Sequence, residues 1–481
     1  MDKKKFIEEY SDAIKRGTAS VFVGAGVSMD AGYPSWKALL KDIADELDID
    51  LDTEYDLAGV AQWYINHNKK TRTKIAKVIK SAFPPKADVP ESLKVLARLP
   101  LKHVWTTNYD LLIETAWEQA GKRIDVKTRV NELTVPDPTA SATLYKMHGS
   151  VDDPADVVIS KEDYELYRRE KGAFFHLLTG HSLGMSLLFV GFSFTDANVA
   201  HLFGLLREVV RDVPPEHYAI VRRPPSPDKV KGAAQKEKAR RQLSRHRHWV
   251  ADLERYGLRC VEVDEFSEIP VILWEVEAAV ASGSVFVSGS YPVELRGSPE
   301  GERVRELAEG VGRIIAEQSA RLVSGYGLEV GGAVIAGVMG QAYKAKYVHL
   351  ESTMLLRPFP QTPPPGIGAD DFKRRYREDM VRQAGVCVVV GGLLQSGTGK
   401  VDVATGVIDE VKIARDSGRP VLPLAITGGA AHLVWDDMLK LTPKERHGIS
   451  KKDFLALGDA SAKNHEYLKL VERLLKQLRN V

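Results

Sequence analysis

The sequence predicts an α/β fold with two domains, an N-terminal Rossmann-type parallel sheet and a second, Rossmann-like sheet. Short runs of β-branched and aromatic residues alternate along the chain with longer stretches whose apolar residues recur at helical spacing. The short runs are continuously apolar and end at Gly, Asn or His, which is typical of parallel strands buried on both faces. This alternation occurs twice, so we expect two sheets, each covered by helices.

A chain of 481 residues is longer than one hydrophobic core ordinarily organises. The predicted strands of the first domain are SVFVG (20–24), HVWTT (103–107), ATLYKMH (142–148), SLLFVGFS (186–193), HYAIV (217–221) and LRCVEV (258–263). Those of the second are SVFVSGS (284–290), RLVSGYG (321–327), VCVVVGG (386–392) and PVLPLAI (420–426). The proline-rich segment 357–371 is predicted to be a surface loop, because proline lacks the amide hydrogen that a strand needs. We place the domains at residues 1–275 and 284–481.

The composition argues against several functional classes. With 44% hydrophobic residues, 27% charged residues and a net charge of +2, the chain has no broad basic surface for nucleic acid. No apolar run reaches the ~20 residues that span a bilayer, and the first residues lack the apolar stretch of a secretory signal. The basic segment 224–249 favours a solvated helix face or an oligomer contact over a nucleic-acid site. We therefore expect partners that are neither nucleic acid nor membrane.

The two cysteines, Cys260 and Cys387, lie far apart, each inside an apolar run. They are predicted to be buried free thiols, which fits a protein of the reducing cytoplasm. Two cysteines cannot build a four-cysteine zinc site, and we predict no metal.

The first strand runs into GAGVSMDAG (24–32). Glycines at the end of a strand let a phosphate approach the backbone closely, and a following helix offers free N–H groups to an anion. Met29 occupies the position where a dinucleotide fingerprint would have its third glycine. The motif therefore indicates either a phosphate loop or a tight turn without a ligand.

Three further strand ends carry polar side chains. Asn108 and Asp110 follow the second strand, His148 ends the run YKMHGSV (145–151), and Ser193, Asp196 and Asn198 follow SLLFVG. Alternatives exist for the first two, since Thr107 or Asn108 could cap the next helix and His148 could be a packed core histidine. Because the carboxyl ends of parallel strands meet at one edge of a sheet, four such ends together favour a ligand cleft.

In this order, GAGVS, TTNYD, HGS and GFSFTDAN resemble the NAD-binding domain of the sirtuin family over roughly residues 8–270. The resemblance implies that NAD+ is the substrate. It implies that Gly24, Ala25, Gly26 and Ser28 line its pyrophosphate and ribose, and that Gly191, Ser193 and Asp196 contact the adenosine. Asn108 would hold the nicotinamide ribose or a water, with Asp110 orienting nearby groups. His148 would be the base, and an imidazole pKa of ~6.5 suits that role.

The departures from the sirtuin pattern concern the acyl-lysine substrate. The four-cysteine zinc module is missing, and the chain reads Pro34-Ser35-Trp36-Lys37 where sirtuins have Pro-Asp-Phe-Arg. Without an acyl acceptor, water becomes the default nucleophile, so we predict an NAD+ glycohydrolase that releases nicotinamide and ADP-ribose. An ADP-ribosyl or acyl-lysine transferase and a non-catalytic nucleotide-binding sensor are the alternatives.

In the second half, SVFVSGSYP, FKRRYRED and the glycine-rich VVVGG before a helix indicate a nucleotide or phosphate pocket. The arginines could also form an exposed helix face, and Glu410 could be a solvated helix residue. This half resembles the SLOG superfamily. The insertion between Gly391-Gly392 and Glu410 favours a sensor over a second hydrolase.

A sirtuin-like domain followed by SLOG is similar to the NAD-hydrolysing effectors of Thoeris anti-phage defence. That resemblance implies that a cyclic ADP-ribose isomer, made by a TIR-domain protein, binds the second domain and releases NAD+ hydrolysis in the first. It also implies a homo-tetramer or a filament. The candidate signal contacts are Ser288, Gly289, Ser290, Arg377, Lys400 and Glu410, with Arg374 and Arg375 as alternatives to Arg377.

Overall fold

The computed structural model describes residues 1–479 apart from 85–86, 195–198, 200–202, 205–215, 345–349, 360–361, 364, 367 and 398. It divides into two compact units, Met1–Glu277 and Ala278–Val481. Both units are α/β and both are built on a parallel sheet, which confirms the predicted fold class.

The first unit contains a seven-stranded parallel sheet in the order β3-β4-β2-β1-β5-β6-β7. Its strands are β1 (Ala19–Val23), β2 (His103–Thr106), β3 (Ile124–Lys127), β4 (Ala142–Lys146), β5 (Ser186–Val190), β6 (His217–Arg222) and β7 (Leu258–Val263). All six predicted strands are present. The short edge strand β3 was not predicted, because its sequence IDVK is only partly buried and has no apolar run.

The helices of this unit are α1 (Lys3–Lys15), α2 (Ala25–Asp30), α3 (Trp36–Leu39), α4 (Lys41–Glu46), α5 (Leu57–His67), α6 (Thr73–Ala82), α7 (Glu91–Arg98), α8 (Leu112–Gln119), α9 (Lys161–Glu170), α10 (Gly172–Gly184), α11 (Ala233–Glu254) and α12 (Glu268–Ala281). The stretch 33–47 contains two short helices, α3 and α4, that meet at Leu40. No helix among the described residues is long and apolar enough to cross a membrane.

The order of the strands opens a crevice above β1. All five residues of β1 are buried, and Phe22 stacks on Phe189 of β5 with ring centroids 5.3 Å apart. The strands β2, β4 and β3 lie on one side of β1, whereas β5, β6 and β7 lie on the other. Connections therefore leave β1 and β5 in opposite directions, and this reversal creates a ligand crevice at the carboxyl ends of doubly wound sheets.

The second unit has a five-stranded parallel sheet in the order β10-β9-β8-β11-β14 and a separate antiparallel hairpin, β12–β13. Its strands are β8 (Ser284–Ser290), β9 (Arg321–Ser324), β10 (Met354–Leu356), β11 (Val386–Gly391), β12 (Leu393–Gln395), β13 (Val401–Val403) and β14 (Val421–Leu424). Its helices are α13 (Pro299–Glu317), α14 (Val330–Ala342), α15 (Leu350–Thr353), α16 (Ala369–Arg382), α17 (Thr405–Asp416), α18 (Gly429–Met438), α19 (Lys451–Ala456) and α20 (Asn464–Arg479).

Helices α13 and α14 approach each other through glycines. A Cβ on Gly312 would lie 2.0 Å from the carbonyl oxygen of Val334, and a Cβ on Gly337 would lie 1.9 Å from that of Glu309. Backbone atoms cannot rotate away as a side chain can, so no other residue fits at these two positions. The contact lets both helices pack closely beneath the sheet.

Replacing Gly337 by Ala is expected to destabilise the second unit by about 1–3 kcal/mol, because the added methyl group overlaps a backbone carbonyl. Gly340 on the same helix has nothing within 4 Å of its Cβ position. Gly340→Ala is therefore the matched control, and it should raise stability by ~0.5–1 kcal/mol through helix propensity. Chemical denaturation of both variants checks the prediction. The prediction fails if both substitutions raise, or both lower, the free energy of unfolding.

Candidate active site

The loops that follow β1 and β5 touch through their backbones. The Gly26 amide donates to the Gly191 carbonyl oxygen at 2.8 Å, and the Gly24 amide donates to that of Val190 at 2.9 Å. A Cβ on Gly24 would lie 2.4 Å from the Gly191 oxygen, and Gly191 itself has φ +66°. Side chains are therefore excluded at Gly24 and Gly191, so the two loops meet there through backbone atoms.

A chain of hydrogen bonds holds Asn108 in one orientation. The Ser28 hydroxyl donates its only hydrogen to Asp110 Oδ2 at 2.6 Å, so its oxygen can only accept from the Asn108 side chain, 2.9 Å away. That contact requires Asn108 to present Nδ2 to Ser28. Its Oδ1 is consequently turned elsewhere, and it is buried without a hydrogen-bond partner among the described residues.

Asp110, and not Asn108, supports the start of the following helix. Helix α8 begins at Leu112, whose amide donates to Asp110 Oδ1 at 3.0 Å. Asp110 thus accepts from Ser28 with one oxygen and from the helix with the other. The alternative in which Asn108 caps α8 is not what the structure shows.

Lys146, in the last position of β4, lies beneath the same loop. Its side chain is fully buried, and its ammonium group donates to the carbonyl oxygens of Tyr109 (3.3 Å) and Asp110 (2.6 Å) and to Glu114 Oε1 (2.8 Å). Three acceptors match the three ammonium hydrogens. The loop that carries Asn108 is therefore fixed from below by a buried charge.

His148 follows β4 by two residues and is both buried and part of the crevice. It is 3% exposed, and its ring lies edge-on to Tyr164 at 5.5 Å and to Tyr167 at 6.0 Å. It also lines the cleft together with Asn108. His148 is therefore both a buried histidine packed against aromatic rings and a residue that lines the cleft.

The crevice is a cleft of about 650 Å³ along the carboxyl edge of the sheet. It is lined by Ala25, Gly26 and Ser28 after β1, Asn108 and Asp110 after β2, His148 after β4, Gly191 and Ser193 after β5, and Ile220, Val221 and Arg222 of β6. Trp36, Trp249 and Phe266 add aromatic walls. From β4 to β6 the edge spans four strand spacings, about 19 Å, which suits an extended ligand.

In the second unit, three polar side chains meet at the carboxyl end of β8. Ser288 Oγ donates to Glu410 Oε2 at 2.5 Å, and Arg377 Nε lies 3.7 Å from Glu410 Oε1. Arg377 also lies 3.4 Å from Asp409, and its guanidinium sits over the Phe359 ring at 5.0 Å. Burial raises the pKa of Glu410 to about 7, although the Ser288 hydrogen bond and Arg377 oppose the shift.

Comparison with known proteins places both units. A SIR2-like domain family matches residues 102–248, and the Sir2- and TIR-associating SLOG family matches residues 268–478. A protein of Enterococcus faecium named NAD(+) hydrolase ThsA is 33% identical over 485 residues, covering 100% of this chain and 99% of that protein. The chain belongs to the ThsA family.

Two further ThsA proteins have the same name and similar coverage. The one from Bacillus cereus (strain MSX-D12) is 34% identical, over 90% of this chain and 88% of its own. The one from Cytobacillus dafuensis is 31% identical, over 99% and 97%. The predicted likeness to sirtuin-like and SLOG domains is thereby confirmed.

Within this ThsA-family fold, the predicted NAD contacts converge except for one that cannot be placed. Ala25, Gly26, Ser28, Asn108, Asp110, His148, Gly191 and Ser193 all line one cleft, and Gly24 lies directly behind it against Gly191. Asp196 lies outside the described residues. Among the described residues no group of three or more His, Cys, Asp or Glu could hold a metal ion, and metal independence stays a prediction.

The predicted signal contacts converge only in part. Ser288, Arg377 and Glu410 form one cluster, and Gly289 fits against the Val390 carbonyl with no room for a side chain. Ser290 Oγ instead donates to the Leu393 carbonyl oxygen at 2.9 Å. These positions show a compact polar cluster at the ends of β8 and β11.

Three other candidates in the second unit point to solvent. Lys400 is exposed beside the β12–β13 hairpin and pairs with Asp402 at 2.7 Å. Arg374 is exposed and pairs with Asp371, and Arg375 is exposed as well. Of the three candidate arginines, Arg377 is the one that reaches Glu410 among the described residues, and its role as the signal contact stays a prediction.

Several residues of the cleft region, among them Lys146 and Arg222, were not predicted from the sequence. Lys146 could have been suspected, since a lysine inside the apolar run ATLYKMH must find acceptors. Arg222, Trp249 and Phe266 carry no local motif. Arg222 reaches the cleft because β6 lies beside β5, Trp249 comes from α11, and Phe266 follows β7.

The raised pKa of Glu410 predicts a pH dependence of stability. The folded protein binds this proton more tightly than the unfolded chain, whose ordinary value is 4.5, so the stabilisation is present at low pH and is lost as the pH rises through 7. The contribution of Glu410 to the free energy of unfolding should therefore fall by about 2 kcal/mol from pH 5.5 to 8, whereas the half-buried His181 and the buried His217, whose pKa is lowered to about 4, act in the opposite direction in every variant. Urea denaturation at both pH values measures it.

Glu410→Gln, which keeps the shape and removes the charge, should abolish most of that fall. Asp416→Asn, an exposed carboxyl at the end of the same helix, is the control and should retain it. If the free energy of unfolding changes equally between pH 5.5 and pH 8 in the wild type and in Glu410→Gln, Glu410 is not the titrating group.

Proposed function

We propose that the first unit is an NAD+ glycohydrolase whose reaction takes place between Asn108 and His148. The predicted enzyme class, NAD+ hydrolase, is confirmed by membership of the ThsA family. The finer assignment is supported above all by the buried, unpartnered Oδ1 of Asn108, which the Ser28–Asp110 hydrogen bonds fix as an acceptor. An acceptor held in this way can bind a water or a ribose hydroxyl by its hydrogen.

The reaction breaks the bond between nicotinamide and C1 of the ribose. Nicotinamide leaves as a neutral molecule because its ring nitrogen is cationic in NAD+, and positive charge develops on the ribose. A water held by Asn108 adds to C1, and His148 accepts the proton that the water loses. Positioned acceptors of this kind stabilise the developing charge without rearranging during the step.

Hydrolysis suits this cleft better than transfer to an acyl-lysine. Trp36 occupies the position after the GAGVS loop where sirtuins have phenylalanine, and it packs near Tyr164 at 6.4 Å, which in turn contacts His148. This aromatic wall borders the reacting end of the cleft. The transferase alternative predicts nicotinamide release that depends on a protein acceptor.

We further propose that the Ser288–Arg377–Glu410 cluster binds a cyclic ADP-ribose isomer supplied by a TIR-domain protein. Arg377 would pair with a phosphate and Glu410 with ribose hydroxyls. The isomer must bind the active arrangement more tightly than the resting one, and a homo-tetramer or filament is the assembly that could switch. The role would be anti-phage defence by NAD+ depletion in the cytoplasm.

His148→Ala and Asn108→Ala should each lower NAD+ hydrolysis by at least ~100-fold, because each removes a group that acts on the water or the ribose. His176→Ala, which changes an exposed histidine of α10, is the control and should keep full activity. Nicotinamide release is measured with cyclic ADP-ribose isomers present, and thermal unfolding shows that the variants fold. Full hydrolysis by either cleft variant would contradict the assignment.

A further inference from the structure

The cleft extends beyond the residues that the proposed chemistry uses, to the carboxyl end of β6. Val190 pairs with Ile220 in the parallel register, so Arg222, two residues later, is level with Phe192 and next to the loop that carries Ser193. Arg222 lines the cleft, as do Trp249 and Phe266. These residues lie across β5 from Asn108, at the opposite end from the reacting groups.

Arg222 holds a positive charge that no carboxylate neutralises within the described residues. Its guanidinium carbon lies 4.8 Å from the centre of the Phe266 ring, which positions the group without consuming its N–H donors. The neighbouring Arg223 differs, because it pairs with Asp264 at 2.6 Å and lies 4.0 Å from Glu262. Arg222 is therefore available to an anion in the cleft.

The charge at this end has the sign that a phosphorylated ribose requires. Dinucleotide sites selective for NAD+ place a carboxylate on the adenosine ribose, whereas an arginine there accommodates a 2′-phosphate. Asp110 is the carboxylate among the described lining residues, and it lies after β2, engaged by Ser28 and Leu112. No acid faces Arg222 from the described wall of the cleft.

We propose that the cleft also takes NADP+, the 2′-phosphorylated dinucleotide, and that Arg222 is the residue that binds its 2′-phosphate. The inference rests on the proposed function, because it assumes that the adenosine half lies toward β6. The balance is that of hydrolysis: the bond between nicotinamide and C1 breaks, the water oxygen bonds to C1, and a proton is released. The products are nicotinamide and 2′-phospho-ADP-ribose.

The direct test compares binding of adenosine 2′,5′-bisphosphate and adenosine 5′-monophosphate by calorimetry. The full-length protein carries Arg377→Ala, so that the cluster of the second unit does not contribute. The bisphosphate should bind about tenfold more tightly than the monophosphate, and Arg222→Ala should remove that difference. Arg222→Lys should keep part of it, and Arg223→Ala should keep all of it.

The second readout is kcat/KM for both dinucleotides with the cyclic ADP-ribose isomer that stimulates the wild type most. Arg222→Ala should lower the value for NADP+ about tenfold and leave that for NAD+ within about twofold. The inference is overturned if the wild type hydrolyses NAD+ but not NADP+, or if Arg222→Ala lowers kcat/KM equally for both dinucleotides. Either result leaves the proposed function intact. If neither dinucleotide is hydrolysed, the proposed function fails, and equal binding of the two adenosine phosphates would still overturn the inference separately.

Discussion

The close backbone contact between the loops after β1 and β5 is the constraint on which the first unit depends. The Gly26 amide donates a hydrogen bond to the Gly191 carbonyl oxygen, and Gly24 has no space for a Cβ atom. The two loops therefore lie against each other at the point where the strand order reverses. A crevice at this point is a general property of doubly wound sheets. Here the glycines let the two loops meet through their backbones, and Ser28 on the first loop contacts Asn108 and Asp110, which follow β2.

A few hydrogen bonds fix the orientation of the polar side chains in the cleft. One hydroxyl hydrogen of Ser28 goes to Asp110, and for that reason Asn108 must direct its Nδ2 to Ser28 and its Oδ1 away. The ammonium group of Lys146 donates hydrogen bonds to two backbone carbonyl oxygens of the loop after β2 and to Glu114. These bonds hold the loop that carries Asn108 in one conformation. A preorganised acceptor of this kind is what the proposed hydrolysis requires of Asn108.

Much of this arrangement could be predicted because it is local. Buried parallel strands are continuous apolar runs, and a polar residue directly after such a run lies at the carboxyl edge, as Asn108 and His148 do. The strands β3, β10, β12 and β13 are only three or four residues long and mostly half-buried or exposed, so none of them shows the long buried apolar run that predicts a strand. Lys400 pairs with Asp402 at the surface, and Arg377, unlike Arg374, reaches Glu410. Both facts depend on the direction in which the side chains point in the fold, and this direction cannot be inferred from residue spacing along the chain.

The first unit contains the cleft that Asn108 and His148 line, and the second contains the Ser288–Arg377–Glu410 cluster. The measurement that tests this account most directly is the product balance of purified protein given NAD+, with and without cyclic ADP-ribose isomers. We expect equal amounts of nicotinamide and free ADP-ribose, an unchanged protein mass, and stimulation by an isomer that Arg377→Ala loses and Arg374→Ala keeps. ADP-ribose attached to the protein, or nicotinamide release only when an acceptor protein is added, would contradict it.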